Sequence, residues 1–276
     1  MIKLKDIFKF KSISKFNDVY SYSSAEEMGN RADQILSSKS SFAATEAYKT
    51  ARTNLLYISN DDGCNVIAVT SSVPGEGKTI SCINMAVCLA AAGKRVLVID
   101  ADMRKPKISE TLNLEKTPGL SELLAGFVKI SDEKANCCRQ KSSHNGLDFI
   151  SAGTTPPNPS ELLAGSRLKE LLAKLAPEYD FIMIDTPPTL VVTDALVLKP
   201  HVNGYIVVVR SEVSSMDIVK ETVAKLRQID AKICGFLLNG KKIKSGKKYG
   251  KYGKYGKYGK YGKYGKYGHY GNKNKQ

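Results

Sequence analysis

Residues 72–79 read SVPGEGKT, and the string runs from an apolar stretch into one with helical periodicity. Its residue types suit a phosphate cradle. Gly75 and Gly77 let the backbone curl until successive N–H groups face a phosphate chain, at the positive end of the helix that follows. Gly75, Glu76, Gly77, Lys78 and Thr79 are therefore the candidate nucleotide site. Lys78 is expected to reach the β- and γ-phosphates of ATP, and the Thr79 hydroxyl to ligate Mg²⁺. Ser72 stands where the first glycine of the P-loop pattern is usual. Further on, VLVIDADMRKP places Asp100 and Asp102 two residues apart, on one side of an extended chain. Two carboxylates beside a phosphate loop repel each other unless a cation sits with them, and Mg²⁺ is the expected cation. One of the pair then helps position the metal while the other accepts a proton from an attacking hydroxyl. Asp100 is read as the base and Asp102 as the metal-side group. Asp185 ends the apolar run DFIMID, ahead of Thr186, Pro187 and Pro188, and has the form of a Walker B aspartate holding a water of the magnesium shell. Asn239 closes the last apolar run; its amide suits an adenine edge, and a turn asparagine fits the spacing equally well.

A different kind of chemistry stands at the other end of the chain. Tyr249, Tyr252, Tyr255, Tyr258, Tyr261, Tyr264, Tyr267 and Tyr270 recur every third residue, mostly in Lys-Tyr-Gly repeats, and make up eight of the 14 tyrosines. The repeat has neither the period of a strand nor that of a helix, so residues 241–276 are expected to form a flexible, solvated tail. That tail holds 13 lysines and no acidic residue, which leaves only +2 of the formal charge of +15 to everything before it. Nucleic-acid binding ordinarily shows as a basic face on the folded part, so this distribution argues against it. The six cysteines have no CxxC spacing, which suits neither a zinc site nor a disulfide framework. The apolar stretches are strand-length and the start MIKLKDIFKF lacks the features of a signal peptide, so the expectation is a cytoplasmic chain.

The elements that must position these residues follow from apolar periodicity. After a polar lead over 1–41, a helix is predicted over 45–57, then strands over 66–70, 95–100, 147–151, 180–185, 205–210 and 233–239. Helices are predicted between them over 78–92, 120–125, 160–175 and 215–229. Strands apolar on both faces and separated by helices imply an α/β fold, a doubly wound and mostly parallel sheet covered on both sides. Its active site belongs at the strands' carboxyl ends. The domain reading is a lead over 1–41, a P-loop domain over 42–240 and the tail over 241–276. Upstream of the P-loop, EAYKTARTN sets Glu46, Lys49 and Arg52 at intervals of three along one helix face. On pattern alone such a stripe is a solvated face.

Taken together, EAYKTARTN, SSVPGEGKT, VLVIDADMRKP, GLSELLAG at 119–126, PNPSELL at 157–163, YDFIMIDTPP and the terminal tyrosines resemble the bacterial tyrosine kinases of capsule and exopolysaccharide synthesis. The resemblance covers roughly residues 42–276. It implies that Lys78 and Thr79 bind ATP and Mg²⁺, that Asp100 and Asp102 form the catalytic second motif, and that Asp185 completes the metal site. It further implies that the eight tail tyrosines are autophosphorylated between subunits, and that the helix stripe joins subunits into a ring. Lys49 stands where the family has an arginine, and lacks the arginine fork. Stand-alone members work with a membrane adaptor of the polysaccharide co-polymerase type and a cognate tyrosine phosphatase, so recruitment to the inner face of the membrane is implied. Two rival readings are a ParA/MinD-type positioning ATPase, whose signature lysine is missing near Val73 and Pro74, and a protein whose basic tail grips nucleic acid.

Overall fold

The computed structural model describes residues 31–59, 63–130, 137–142 and 146–240. The tail over 241–276 with its eight tyrosines, and the lead over 1–30, lie outside the described residues. The described end of the lead is built into the body: Ile35 and Leu36 are buried against the first helices. The Leu36 N–H donates to Asn84 Oδ1 at 2.8 Å, and Asn84 Nδ2 donates to the Gln34 carbonyl at 3.0 Å.

Helix α1 spans Phe42–Ile58 and starts earlier than periodicity suggests, because the Ser41 hydroxyl caps it by accepting from the Ala44 N–H. Strand β1 (Asn65–Ser71) leads through the P-loop into α2 (Lys78–Ala90), and β2 (Val96–Asp100) leads into α3 (Ile108–Leu112). There follow α4 (Leu120–Ala125), β3 (Arg139–Lys141), β4 (Leu147–Ile150), α5 (Pro159–Ala164), α6 (Ser166–Leu175), β5 (Phe181–Asp185), α7 (Asp194–Val197), β6 (Gly204–Arg210), α8 (Met216–Gln228) and β7 (Ile233–Asn239). The single helix expected over 160–175 is two, because Gly165 adopts an extended conformation between them.

The sheet has seven strands in the order β3-β4-β2-β5-β1-β6-β7, and β3 runs antiparallel to β4 while the remaining described pairs are parallel. Every residue of β1, β2 and β5 is buried, as a parallel sheet covered on both faces requires. Alternate residues serve opposite layers. Ile67, Val69, Val98 and Met183 pack with Leu55 of α1 and Met85 and Leu89 of α2, whereas Leu97, Ile99, Ile182 and Ile184 pack with Leu163 of α5 and Leu171 of α6.

Register is what this architecture contributes to the site. Asp185 of β5 lies opposite Asp100 of β2 on one side and Val69 of β1 on the other. Strands β2 and β5 thus end level, β1 runs on from Val69 to Ser71, and the P-loop, Asp100 and Asp185 leave the sheet at the same carboxyl edge.

Candidate active site

The P-loop is braced from beneath by side chains of the last two strands and α8. Gly75 and Gly77 take left-handed backbone conformations with φ of 86° and 84°, which glycine adopts without the Cβ penalty. A Cβ at Gly77 would in addition overlap the Asn239 amide nitrogen. Ser72 is not among the residues of positive φ, so no glycine is required there. Its hydroxyl is held instead by the buried Thr222 of α8 at 2.9 Å. Glu76 turns its side chain inward: Oε2 accepts from the Val73 N–H at 2.8 Å and Oε1 accepts from the Ser214 hydroxyl. Arg210 Nη1 donates to the Gly75 carbonyl at 2.8 Å. Side chains of β6, β7 and α8 thus hold the loop in this shape.

Above this frame stand the charged groups. Lys78 Nζ donates to Asp185 Oδ1 at 2.7 Å and lies 3.6 Å from Asp102 Oδ2. The Thr79 hydroxyl donates to Asp185 Oδ2 at 2.7 Å. Asp100 Oδ1 accepts from the Asp102 N–H at 3.1 Å, while its Oδ2 accepts from the N–H groups of Lys107 and Ile108 at 3.1 and 3.0 Å. Since a carboxylate offers about four acceptor positions, Asp100 keeps one to spare. Asp102 Oδ1 accepts from the Lys105 N–H at 3.1 Å. Asp100 is 0% exposed and Asp102 8%.

One ammonium faces three carboxylates, and the proton affinities follow. Burial opposes the charge on Lys78, but Asp185, Asp102 and Asp100 outweigh it and hold the proton more tightly than usual. Burial first, and Asp185 next, push Asp100 above the ordinary carboxylate range, against the Ile108 N–H and Lys78. Burial likewise raises Asp102, although Lys78 opposes it. A single positive charge cannot neutralise all three, so the site attracts more cation.

The converging side-chain acceptors are all oxygens, from Thr79, Asp100, Asp102 and Asp185, a set suited to a hard cation such as Mg²⁺. Among the described residues no three acidic, histidine or cysteine side chains form a ready metal cage. Magnesium is ordinarily held by one or two carboxylates together with phosphates and water, and this partial set fits that mode.

The other expected site residues are placed as follows. Asn239 lies under the P-loop, with Nδ2 donating to the Glu76 carbonyl at 2.9 Å and Oδ1 accepting from the Gly240 N–H at 2.8 Å. On α1, Lys49 pairs with Glu46 at 2.8 Å in the open. Arg52 turns inward, and its Nη1 donates to the Cys88 carbonyl at 3.3 Å, near the end of α2. Phe42 and Tyr57 are exposed at the two ends of that helix. Sequence reasoning missed the inward roles of Glu76, Arg210 and Thr222, and passed over Arg104 and Asp194. The one signal for Asp194 was a lone acidic residue inside the apolar run VVTDALV. No helix among the described residues is long and apolar enough to cross a membrane.

Comparison with known proteins shows the family to which the chain is similar. The family described as AAA domain matches residues 64–237. The tyrosine-protein kinase YwqD of Bacillus subtilis is 38% identical over 206 residues, covering 75% of this chain and 85% of that protein. Several other tyrosine-protein kinases match at similar identity, and the chain spans 25–28% of their length. Among solved structures, the kinase domain of the Escherichia coli tyrosine kinase ETK superposes with a TM-score of 0.68 at 33% identity, covering 75% of this chain and 80% of that one. The cell-division ATPase MinD of Pyrococcus furiosus reaches 0.52 at 23% identity, covering 62% of this chain and 70% of that one, which is a likeness of fold alone.

Proposed function

The chain belongs to the bacterial tyrosine-protein kinases, and on that premise we propose that it passes the γ-phosphoryl group of ATP to its own tail tyrosines, Tyr249 to Tyr270, between subunits. The observation that carries the proposal is the in-register pair Asp100 and Asp185 beside Lys78 and Thr79. The tyrosine oxygen forms a bond to the γ-phosphorus, the bond to the bridging oxygen of ADP breaks, and the phenolic proton passes to a carboxylate. A phenol of pKa near 10 attacks poorly without such a base. Asp100 takes that proton on its spare acceptor position. The greater exposure of Asp102 favours a second assignment in which the two exchange roles. Lys78 and the P-loop amides bear on the charge of the phosphoryl oxygens, which is most of what a protein contributes to this transfer. Thr79, Asp102 and Asp185 would hold Mg²⁺, which when bound supplies further neutralisation of those oxygens.

The tail's lysines make each tyrosine attractive to an acidic site, so local charge rather than sequence readout delivers the substrate. Eight phosphotyrosines add about −12 to −16 charges, enough to offset the tail's 13 lysines. Phosphorylation then weakens the tail's hold on a neighbouring site and loosens an assembly joined through Glu46, Lys49 and Arg52. Polysaccharide polymerisation and export are the process so regulated. A membrane adaptor of the co-polymerase type recruits the kinase to the inner membrane face, and a cognate tyrosine phosphatase resets it.

The test is to incubate the protein with ATP, Mg²⁺ and the adaptor's cytoplasmic fragment, and map phosphate by mass spectrometry. Phosphate is expected on the tail, and absent from Lys78→Met and Asp100→Ala. A Lys78→Met chain that still labels itself rejects the site.

A further inference from the structure

Outside the cluster just described, the most constrained charged group is Asp194, at the start of α7. It is fully buried, and both carboxylate oxygens are engaged by one arginine. Arg104 Nε donates to Oδ2 at 2.9 Å and Nη2 to Oδ1 at 3.0 Å. The Ser160 hydroxyl of α5 adds a bond to Oδ1 at 2.5 Å, and lies 3.3 Å from Arg104 Nη2. Three segments far apart in sequence therefore meet at one carboxylate.

We infer that Arg104, Asp194 and Ser160 form a positioning bridge that aims the Asp100 and Asp102 carboxylates for phosphoryl transfer. Arg104 sits in the turn between β2 and α3, and that same turn supplies the backbone donors to both carboxylates. Asp100 accepts from residues 102, 107 and 108, and Asp102 accepts from residue 105. The shape of the turn thus decides where both carboxylates point. Arg104 lies between Asp102 and Lys105, and ties the turn to α5 and α7. A two-pronged arginine–carboxylate contact fixes orientation as well as distance, which a lysine cannot do. Asp194 is buried while the Arg104 side chain is 41% exposed, so solvent screens the pair and discounts its contribution to stability. Its placement beside the catalytic turn is what orientation requires. None of the three residues contacts Lys78 or Asp185 among the described interactions; the bridge acts by shaping the turn, and the charges of Arg104 and Asp194 also bear on Asp102.

The inference rests on the active-site reading above, and its test separates the two. Arg104→Lys keeps a cation for Asp194 but loses the fork, while Ser160→Ala removes the third contact and leaves no charge unpaired. In the full chain with ATP and Mg²⁺, Arg104→Lys should lower kcat about 10- to 100-fold, the scale of an ångström-level misplacement. The KM for ATP, the affinity for ADP and the Tm should stay close to wild type. Ser160→Ala should shift kcat in the same direction and less. An unchanged kcat, or a loss of ADP affinity or Tm in step with kcat, overturns the bridge. With Lys78→Met run alongside, activity in that variant overturns the active-site reading itself. A silent Lys78→Met with full turnover in Arg104→Lys overturns the bridge alone.

Discussion

Lys78 with Asp100, Asp102 and Asp185 is a buried cluster, whereas Glu46 and Lys49 on α1 form an ion pair open to solvent. In the sequence both are short strings of mixed charge. In the fold the first is walled by apolar strands on either side, and the second faces water. Breaking a buried pair leaves a charge with nothing to replace its partner, which costs several kcal/mol. An exposed pair loses side-chain entropy and is screened by salt, so it contributes about 0–1 kcal/mol. The same residue types therefore do different work: inside, each charge fixes a protonation state and a position; outside, the pair leaves the surface free to meet another molecule.

The largest effect should come from Lys78→Met, which removes the one cation among three carboxylates. Autophosphorylation is expected to fall by at least about 10²–10³-fold, read as phosphotyrosine formed per minute. If activity survives, the buried cluster is no more special than the exposed pair. Asp100→Asn and Asp102→Asn sharpen the comparison from within. The base assignment expects the greater loss of kcat from Asp100→Asn, and a greater rise in the Mg²⁺ requirement from Asp102→Asn; the reverse pattern exchanges their roles. Next comes Gly77→Ala, where a Cβ meets both a φ of 84° and the Asn239 amide. A loss of about 1–3 kcal/mol is expected in denaturant unfolding, together with weaker ADP binding by calorimetry. Smallest of all should be Lys49→Ala, under about 1 kcal/mol in stability, with a shift toward smaller assemblies in sedimentation. A large drop in Tm for Lys49→Ala would erase the contrast between the two regions.

Most of the framework was legible because it rests on period. The strands of the sheet's centre are uninterrupted apolar runs, and the helix boundaries at Lys78, Leu120 and Ala125 follow from glycines flanking apolar stripes. The edge strand β3 was not legible: its residues, Arg139, Gln140 and Lys141, carry no apolar alternation, and backbone pairing with β4 alone makes them a strand. Ile108–Leu112 was missed for a related reason, since Asp100 rather than a local cap satisfies its first N–H group. The motif residues and their gathering at one edge of the sheet were expected from the sequence, but the register that joins them was not. Strand order is absent from local pattern, so the pairing of Asp100 with Asp185 appeared only with the sheet. Glu76 was read through its backbone alone, while its side chain reaches Ser214, 138 positions on. Arg104 and Asp194, 90 positions apart, were invisible as a pair for the same reason.

The account's central claim is that the buried cluster of one subunit acts on the tail of another. It is tested most directly by mixing a Lys78→Met chain, whose tail is intact, with a chain that keeps Lys78 and lacks residues 249–270. After incubation with ATP, Mg²⁺ and the adaptor fragment, phosphate should appear on the tyrosines of the Lys78→Met chain. No phosphate there, while the unaltered chain labels its own tail under the same conditions, would contradict it.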